Sequence, residues 1–166
     1  MKLPQGFKSA SIAAGLKSTG ALDLTLIHNQ GPLFFGSAVF TSNKVVAAPV
    51  MWSRQVAKGG IVRAAVLNSG GANACTGPQG FEDTHKTAEH VAHLLNVSAG
   101  EVIVCSTGLI GELLPMEKII SGLDAIETAL SSDGLQTSAQ AIMTTDSVPK
   151  IATANSNGVE FAAIAK

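Results

Sequence analysis

Two glycine-rich segments carry the polar groups of this sequence that could take part in chemistry. The first segment, NSGGANACTG, occupies residues 68–77, and the second begins with Ser106-Thr107-Gly108. Each follows a short apolar run that is typical of a strand, and free backbone N–H groups point outward where such strands lead into helices. The sequence therefore predicts that a ligand site lies in these loops rather than on the helices.

The second segment has the composition of an oxyanion hole. The hydroxyl of Thr107 and the backbone N–H of Gly108 can donate to one oxygen atom, and loss of one such donor typically costs on the order of 3 kcal/mol of transition-state stabilisation. A structural turn of the same composition is the alternative. The first segment has amide and hydroxyl groups but no strong base, and a tight turn that needs glycine would also explain it.

The histidines and cysteines form no complete catalytic or metal-binding pattern. His90 and His93 share a helix face, but no third ligand is spaced to complete a metal site, so we expect a solvated face. Cys75 and Cys105 have no histidine nearby in the sequence and are expected to be reduced, packed thiols. The sequence has no GKT, GKS or GxGxxG element. It predicts no metal or cofactor and contains no evident nucleophile.

Hydrophobic periodicity predicts an α/β fold whose strands and helices position the two loops. A buried strand over 61–67 leads into the first loop, and a strand over 101–105 leads into the second. The other predicted elements are early strands at 22–26 and 33–40 joined by a tight turn, helices at 81–95, 115–130 and 137–143, and a hairpin centred on Asn157-Gly158.

Composition restricts the class of protein. The 166 residues are 46% hydrophobic and 14% charged, with a net charge of -1, which fits one domain or a large part of one. No basic cluster and only 4% aromatic residues argue against nucleic acid as a partner. No apolar run approaches the roughly 20 residues that cross a membrane, so we expect a soluble, cytoplasmic protein. The final FAAIAK has no terminator, which suggests a piece of a longer chain.

Three long motifs, in order and with matching spacing, resemble one known family. NSGGANACTG at 68–77, CSTGLIGELLPM at 105–116 and AIMTTDSVPK at 141–150 are similar to ornithine acetyltransferase, the bifunctional glutamate N-acetyltransferase. With GFKSA, NQGP and the segment AVFTSNKVVAAPV at 38–50, the likeness covers nearly the whole chain.

The resemblance implies an N-terminal α chain, residues 1–166, that forms a single domain completed by a separate β chain. The implied fold is the DmpA-like N-terminal-nucleophile arrangement of mixed β-sheets packed with helices. The implied enzyme cleaves its own precursor before a Thr, assembles as a heterotetramer of two α and two β chains, and moves acetyl from N-acetylornithine to glutamate in arginine biosynthesis. Whether acetyl-CoA also serves as donor is left open, and no cofactor is implied.

The family's site residues map onto four positions of this sequence. Thr107 and Gly108 match the oxyanion-hole pair, Thr144 and Lys166 match substrate-contacting residues, and the nucleophilic Thr belongs to the β chain rather than to this one. One departure is Gly71, where the family more often has Asn, which puts substrate preference in question. An N-terminal-nucleophile amidohydrolase or aminopeptidase, and a non-catalytic small-molecule-binding fragment, are the alternative functions.

Overall fold

A four-stranded mixed sheet, seen in a computed structural model that describes residues 2–166, forms the centre of the fold. Its strands lie in the spatial order β1-β2-β3-β4, with β1–β2 and β2–β3 antiparallel and β3–β4 parallel. The strands are β1 (Phe7–Ile12), β2 (Leu24–Asn29), β3 (Ala64–Gly71) and β4 (Val102–Leu109), and the helices are α1 (Ala48–Lys58), α2 (Gly77–Leu95), α3 (Met116–Glu127) and α4 (Leu135–Ala141).

One face of the sheet packs against α2 and α3 to form the hydrophobic core. Side chains alternate between faces along a strand, so Leu24 and Leu26 point to the same side, together with the strand residues paired beside them. Leu123 of α3 is fully buried among them. The core is built mainly from Ala, Val, Leu and Ile, as the low aromatic content requires.

The opposite face carries hydroxyl groups that bind α4. Thr25 Oγ1 donates to Ser138 Oγ at 2.9 Å, and Ser138 Oγ donates to Ser9 Oγ at 3.0 Å. Ser69 of β3 donates to the carbonyl oxygen of Ala141 at the end of α4. These buried hydrogen bonds offset the cost of removing the hydroxyl groups from water and hold α4 against the sheet.

Helix α1 lies against the outer strand β4. Trp52 Nε1 donates to the carbonyl oxygen of Val102 at 3.0 Å, and Ser53 Oγ donates to that of Val104 at 2.8 Å. The backbone N–H of Val104 donates in return to Ser53 Oγ at 3.0 Å. The helix thus binds backbone groups in the first half of β4 that would otherwise be free to pair with another strand. The second half of β4 contains Thr107 and Gly108 and extends beyond the helix.

A separate hairpin follows α4. Strands β5 (Lys150–Ser156) and β6 (Val159–Ala165) pair antiparallel through a two-residue turn at Asn157 and Gly158. Both turn residues have positive φ, 52° and 81°, as a type I′ turn requires. Lys166 follows the second strand of the hairpin and lies in the wall of the cavity described below. The hairpin prediction is confirmed.

The sequence-based prediction contains one wrong strand and misses both strand β1 and helix α1. Residues 33–40 form no strand, because Phe35 makes only an isolated bridge to Ile61 and the segment lies exposed, with Val39 98% accessible. Strand β1 was not predicted, since FKSASI alternates small polar residues with few large apolar ones. The other predicted elements exist with shifted ends, most visibly in β3 and β4, which continue into the glycine-rich segments. In residues 2–166, no helix is both long and apolar enough to span a bilayer.

Replacing Leu123 by Ala should destabilise the fold strongly. The side chain is fully buried in the core, and Leu-to-Ala changes at such sites cost about 2–5 kcal/mol. We expect a loss of this size in the free energy of unfolding, measured by chemical denaturation of the full-length protein. His93→Ala, on the exposed face of α2, should change it by less than about 0.5 kcal/mol. Equal effects of the two changes would contradict the assigned core.

Candidate active site

A cavity of about 970 Å³ opens at the carboxyl ends of β3 and β4. Its walls include Thr107, Gly108, Thr144 and Lys166, which are all four residues expected from the sequence to form the site. Gly70 at the end of β3 also lines it. The structure therefore brings together residues from a sheet strand, from the loop after α4 and from the end of the hairpin. The role of each residue stays a prediction, while their common location is observed.

Lys166 connects the two threonine hydroxyls. Its Nζ donates to Thr107 Oγ1 at 2.9 Å and to Thr144 Oγ1 at 2.7 Å. An ammonium group has three N–H donors and no acceptor, so one donor of Lys166 remains for a ligand. Each threonine oxygen accepts in these contacts, which leaves its own O–H proton free to turn toward the cavity. The arrangement thus presents one cationic donor and two hydroxyl donors, and suits a negatively charged oxygen.

The carboxylate of Asp146 helps to place Thr144. Asp146 Oδ2 accepts from the backbone N–H of Thr144 at 3.3 Å, and Oδ1 accepts from Lys150 at the start of β5. The hydrogen bonds from Lys150 and Thr144 lower the pKa of the Asp146 carboxyl from its usual value. Asp146 thus pairs with Lys150 and holds the backbone of the loop, whereas the Lys166 ammonium is hydrogen-bonded to the two threonine hydroxyls.

Glycine at position 108 is required by a close approach of two backbones. Its φ is +134°, and a Cβ there would lie 2.6 Å from the carbonyl oxygen of Gly70 and 2.7 Å from the backbone nitrogen of Gly71. The pairing of β3 with β4 is irregular at this point. Any larger residue would push the two strands apart and move Thr107, so the composition of this loop has a steric cause.

A buried carboxylate orders the loop on the other side of the cavity. Asp23 is fully buried and accepts the backbone N–H groups of Ala14 at 2.7 Å, Leu16 at 2.6 Å and Lys17 at 3.0 Å. The loop lies directly on β3, since a Cβ at Gly70 would be 2.8 Å from the carbonyl oxygen of Leu16. Lys17 lines the cavity as a result.

The polar groups of the first glycine-rich segment are used inside the protein. Asn68 accepts from Ser106 Oγ at 2.6 Å and donates to the carbonyl oxygen of Gly71 at 3.0 Å. Asn73 donates to the carbonyl oxygen of Gly80 and to Thr84, and accepts from Thr76. These side chains support the loop. The turn alternative therefore explains the segment, which contributes the backbone of Gly70 to the cavity.

A side chain at position 71, where the family more often has Asn, would point away from the cavity. A Cβ at this position would lie 2.6 Å from Cδ2 of Leu114, so a larger residue requires Leu114 to move. Gly71 itself is absent from the cavity walls. The Leu114 side chain is buried in the core cluster, and the substitution therefore concerns packing beneath the loop more directly than contact with a ligand.

The cysteines are accessible, and the expectation that they are packed is wrong. Cys75 and Cys105 are both free thiols with exposed surface. Cys105 lies on the sheet face that α4 covers only in part, which explains its accessibility; its surroundings still desolvate the sulfur and raise the pKa of the thiol. A raised pKa disfavours the thiolate form that a nucleophile needs.

The helix histidines lie apart from the cavity. His90 Nε2 lies 2.7 Å from Asp124 Oδ1 of α3, and His85 packs against Trp52 with ring centroids 4.9 Å apart. His93 is exposed. Within residues 2–166 no group of three or more His, Cys, Asp or Glu side chains could hold a metal ion. The histidines thus belong to the helix surface and to contacts between helices.

Comparison with known proteins connects this geometry to one family. The ArgJ family model matches residues 8–166. The arginine biosynthesis bifunctional protein ArgJ of Streptomyces avermitilis is 55% identical over 162 residues, and that of Thermobifida fusca is 52% identical over 163. The chain belongs to the ArgJ family. The alignments cover 98% of this chain but 42% and 43% of the two ArgJ relatives, so the chain spans less than half of their length.

Solved ArgJ-family structures have the same fold. The crystal structure of ornithine acetyltransferase from Mycobacterium tuberculosis, complexed with ornithine, matches with a TM-score of 0.95 at 49% identity. The match covers 98% of this chain and 88% of that one. The ArgJ protein of Bacillus halodurans matches with a TM-score of 0.87 at 34% identity, over 99% of this chain and 92% of that one.

Sequence reasoning missed two residues of this ArgJ-family site. Lys17 reaches the cavity and Asp23 orders its loop, but neither belongs to a glycine-rich segment. A signal was available for Asp23, because a carboxylate inside the apolar run LDLTLI is unusual and a buried charge needs hydrogen-bond partners. Lys17 had no comparable signal, since its position depends on the contact between Leu16 and Gly70.

Replacing Asp23 by Asn should loosen the loop over residues 13–22. The amide has one oxygen acceptor, and its NH₂ group cannot accept the N–H groups that now bind the second carboxylate oxygen. Leaving buried donors unpaired costs about 1–3 kcal/mol. We expect faster hydrogen exchange at the amides of Ala14, Leu16 and Lys17, measured by mass spectrometry. Asp133→Asn, at an exposed position, is the matched control. Unchanged exchange in Asp23→Asn would contradict the anchoring role.

Proposed function

We propose that this chain is the α part of a glutamate N-acetyltransferase that moves acetyl from N-acetylornithine to glutamate. The observation that carries the proposal is the bridge of Lys166 between the hydroxyls of Thr107 and Thr144 inside a cavity. Family membership and the likeness to an ornithine acetyltransferase at 49% identity support it. We expect such an enzyme to act in arginine biosynthesis in the cytoplasm, without a cofactor.

Thr107 and Gly108 are proposed to stabilise the negative oxygen that forms during acetyl transfer. When a nucleophile attacks the acetamide carbonyl of N-acetylornithine, the C=O electron pair moves to oxygen and leaves a tetrahedral intermediate. The hydroxyl of Thr107 and the N–H of Gly108 donate to this oxygen. Lys166 aids Thr107 as a donor. Because the ammonium group donates to Thr107 Oγ1, the hydroxyl proton of Thr107 points away from it.

The transfer is proposed to proceed in two halves with an acetyl-enzyme between them. In the first half the C–N bond of the acetamide breaks, and ornithine leaves with its amine after it gains the proton of the nucleophile. In the second half the amine of glutamate attacks the acetyl ester and forms the new C–N bond. The ester C–O bond then breaks, the oxygen of the nucleophile regains a proton from the amine, and N-acetylglutamate leaves. Both substrates share one carboxylate, and Lys166 and Thr144 hold that carboxylate next to the reacting carbon. Acetyl-CoA is a further donor to be tested.

The nucleophile is proposed to be the N-terminal Thr of a β chain cut from the same precursor, with two α and two β chains assembled together. The length comparison supports this. The chain spans 42% of the full S. avermitilis relative yet covers 88% of the matched chain in the M. tuberculosis crystal structure. Among residues 2–166, no serine, threonine or cysteine of the cavity wall has a histidine or carboxylate base hydrogen-bonded to its side-chain oxygen or sulfur.

Intact-mass measurement of the purified full-length protein tests the two-chain proposal. We expect two polypeptides, one of which begins with Thr, and the addition of one acetyl group to the chain that begins with Thr after incubation with N-acetylornithine. A single uncut polypeptide with full activity would contradict self-cleavage. Acetate release that continues without glutamate would instead favour an amidohydrolase, and absence of any acetyl-protein would favour a binding module.

Thr107→Ala should slow acetyl transfer about a hundredfold, because it removes one of the two proposed oxyanion donors. The rate of N-acetylglutamate formation from N-acetylornithine and glutamate measures the effect. Thr107→Ser keeps the hydroxyl and should retain most of the activity. Thr128→Ala, which removes a hydroxyl from the exposed end of α3, is the matched control. A Thr107→Ala enzyme with unchanged turnover would remove Thr107 from the mechanism.

A further inference from the structure

A second lysine, Lys17, faces the same cavity from the loop between β1 and β2. It is half-buried, and its Nζ donates to the carbonyl oxygen of Leu22 at 2.8 Å. Two of its three N–H donors remain after this contact. The contact bends the side chain back across its own loop, so the ammonium group is held in place rather than left to extend into solvent.

The backbone under Lys17 is fixed relative to the oxyanion-hole residues. The buried Asp23 carboxylate accepts the N–H of Lys17 itself, and the neighbouring Leu16 carbonyl lies against Gly70. Gly70 in turn lies against Gly108. Three backbone segments are therefore stacked in contact, and the Asp23 hydrogen bonds hold the backbone of Lys17 beside them.

The two lysines of the cavity repel each other. Burial lowers the pKa of the Lys17 ammonium, the Asp23 carboxylate opposes this effect, and the positive charge of Lys166 lowers the pKa further. A carboxylate bound beside Lys17 would relieve this repulsion and favour the ammonium form. The Asp146 carboxylate does not serve this purpose, since it is paired with Lys150.

We propose that Lys17 binds the side-chain carboxylate of the acceptor amino acid and so selects a dicarboxylic acceptor. The inference rests on the proposed acetyl transfer. Lys166 touches Thr107, so it lies next to the reacting carbon and suits the carboxylate that donor and acceptor share. Lys17 lines the same cavity from the β1–β2 loop rather than from the hairpin end, and we therefore place the far end of the substrate beside it. There glutamate carries a negative group and N-acetylornithine a positive one.

This position gives Lys17 opposite effects on the two substrates. It attracts the second carboxylate of glutamate, and it repels the side-chain ammonium of N-acetylornithine. Removal of its charge should therefore weaken the half-reaction with glutamate and leave the half-reaction with N-acetylornithine equal or faster. A merely structural role would slow both halves together, because both use the same oxyanion hole.

The test compares acceptors in the full-length enzyme and in Lys17→Met. In a two-half mechanism kcat/KM for each substrate reports its own half-reaction, so donor and acceptor can be separated. We expect kcat/KM for glutamate to fall about tenfold to a hundredfold, the effect of losing a hydrogen bond to a charged group. The value for N-acetylornithine, followed by ornithine release, should not fall. The preference for glutamate over glutamine, which has an uncharged side chain of similar shape, should largely disappear.

Two further variants complete the experiment. Lys17→Arg keeps the positive charge and should preserve much of the preference for glutamate over glutamine. Lys44→Met removes an exposed lysine elsewhere in the chain and should change neither half-reaction. An unchanged glutamate-to-glutamine ratio in Lys17→Met, or an equal loss for donor and acceptor, would overturn the role of Lys17 alone. A wild-type enzyme that forms no N-acetylglutamate would overturn the proposed function and this inference with it.

Discussion

The close contact between the backbones of Gly70 and Gly108 determines the geometry of the cavity. No side chain fits between these two strand ends, and the Leu16 carbonyl occupies the other side of Gly70. The backbones of the β1–β2 loop, β3 and β4 therefore lie directly against each other. This contact places a cation-bearing loop beside the Thr107-Gly108 step. Both glycines are needed because a Cβ would collide with the neighbouring backbone and because their φ values, +122° and +134°, favour glycine.

Within residues 2–166, neither Lys17 nor Lys166 forms a salt bridge with a carboxylate. Asp23 and Asp146 belong to the loops beside the cavity, and each carboxylate already accepts hydrogen bonds. Asp23 binds three backbone N–H groups, and Asp146 binds Lys150 and the backbone of Thr144. Both carboxylates thus hold loops in place, and Lys17 and Lys166 face the cavity. An anionic ligand is the natural complement of such a wall.

Local signals predicted much of this fold, whereas contacts between distant segments could not be predicted. The hairpin was evident because Asn157-Gly158 suits a type I′ turn whatever surrounds it. Residues 33–40 have the pattern of a strand but pair only through the isolated bridge of Phe35 to Ile61, whereas β1 pairs with β2 along its whole length. The resemblance to the family predicted one site for Thr107, Gly108, Thr144 and Lys166, and these residues line one cavity. The location of Lys17 could not be predicted, because it depends on the packing of Leu16 on Gly70 and on the hydrogen bonds to Asp23.

The decisive measurement is a structure of the full-length protein trapped as its acetyl-enzyme by reaction with N-acetylornithine in the absence of an acceptor. The measured quantities are the distances from the acetyl carbonyl oxygen to Thr107 Oγ1 and to the Gly108 nitrogen. We predict that both distances are within about 3 Å, the range of a good hydrogen bond. An acetyl group bound elsewhere, or a carbonyl oxygen that faces neither donor, would contradict the assignment of this cavity as the site of acetyl transfer.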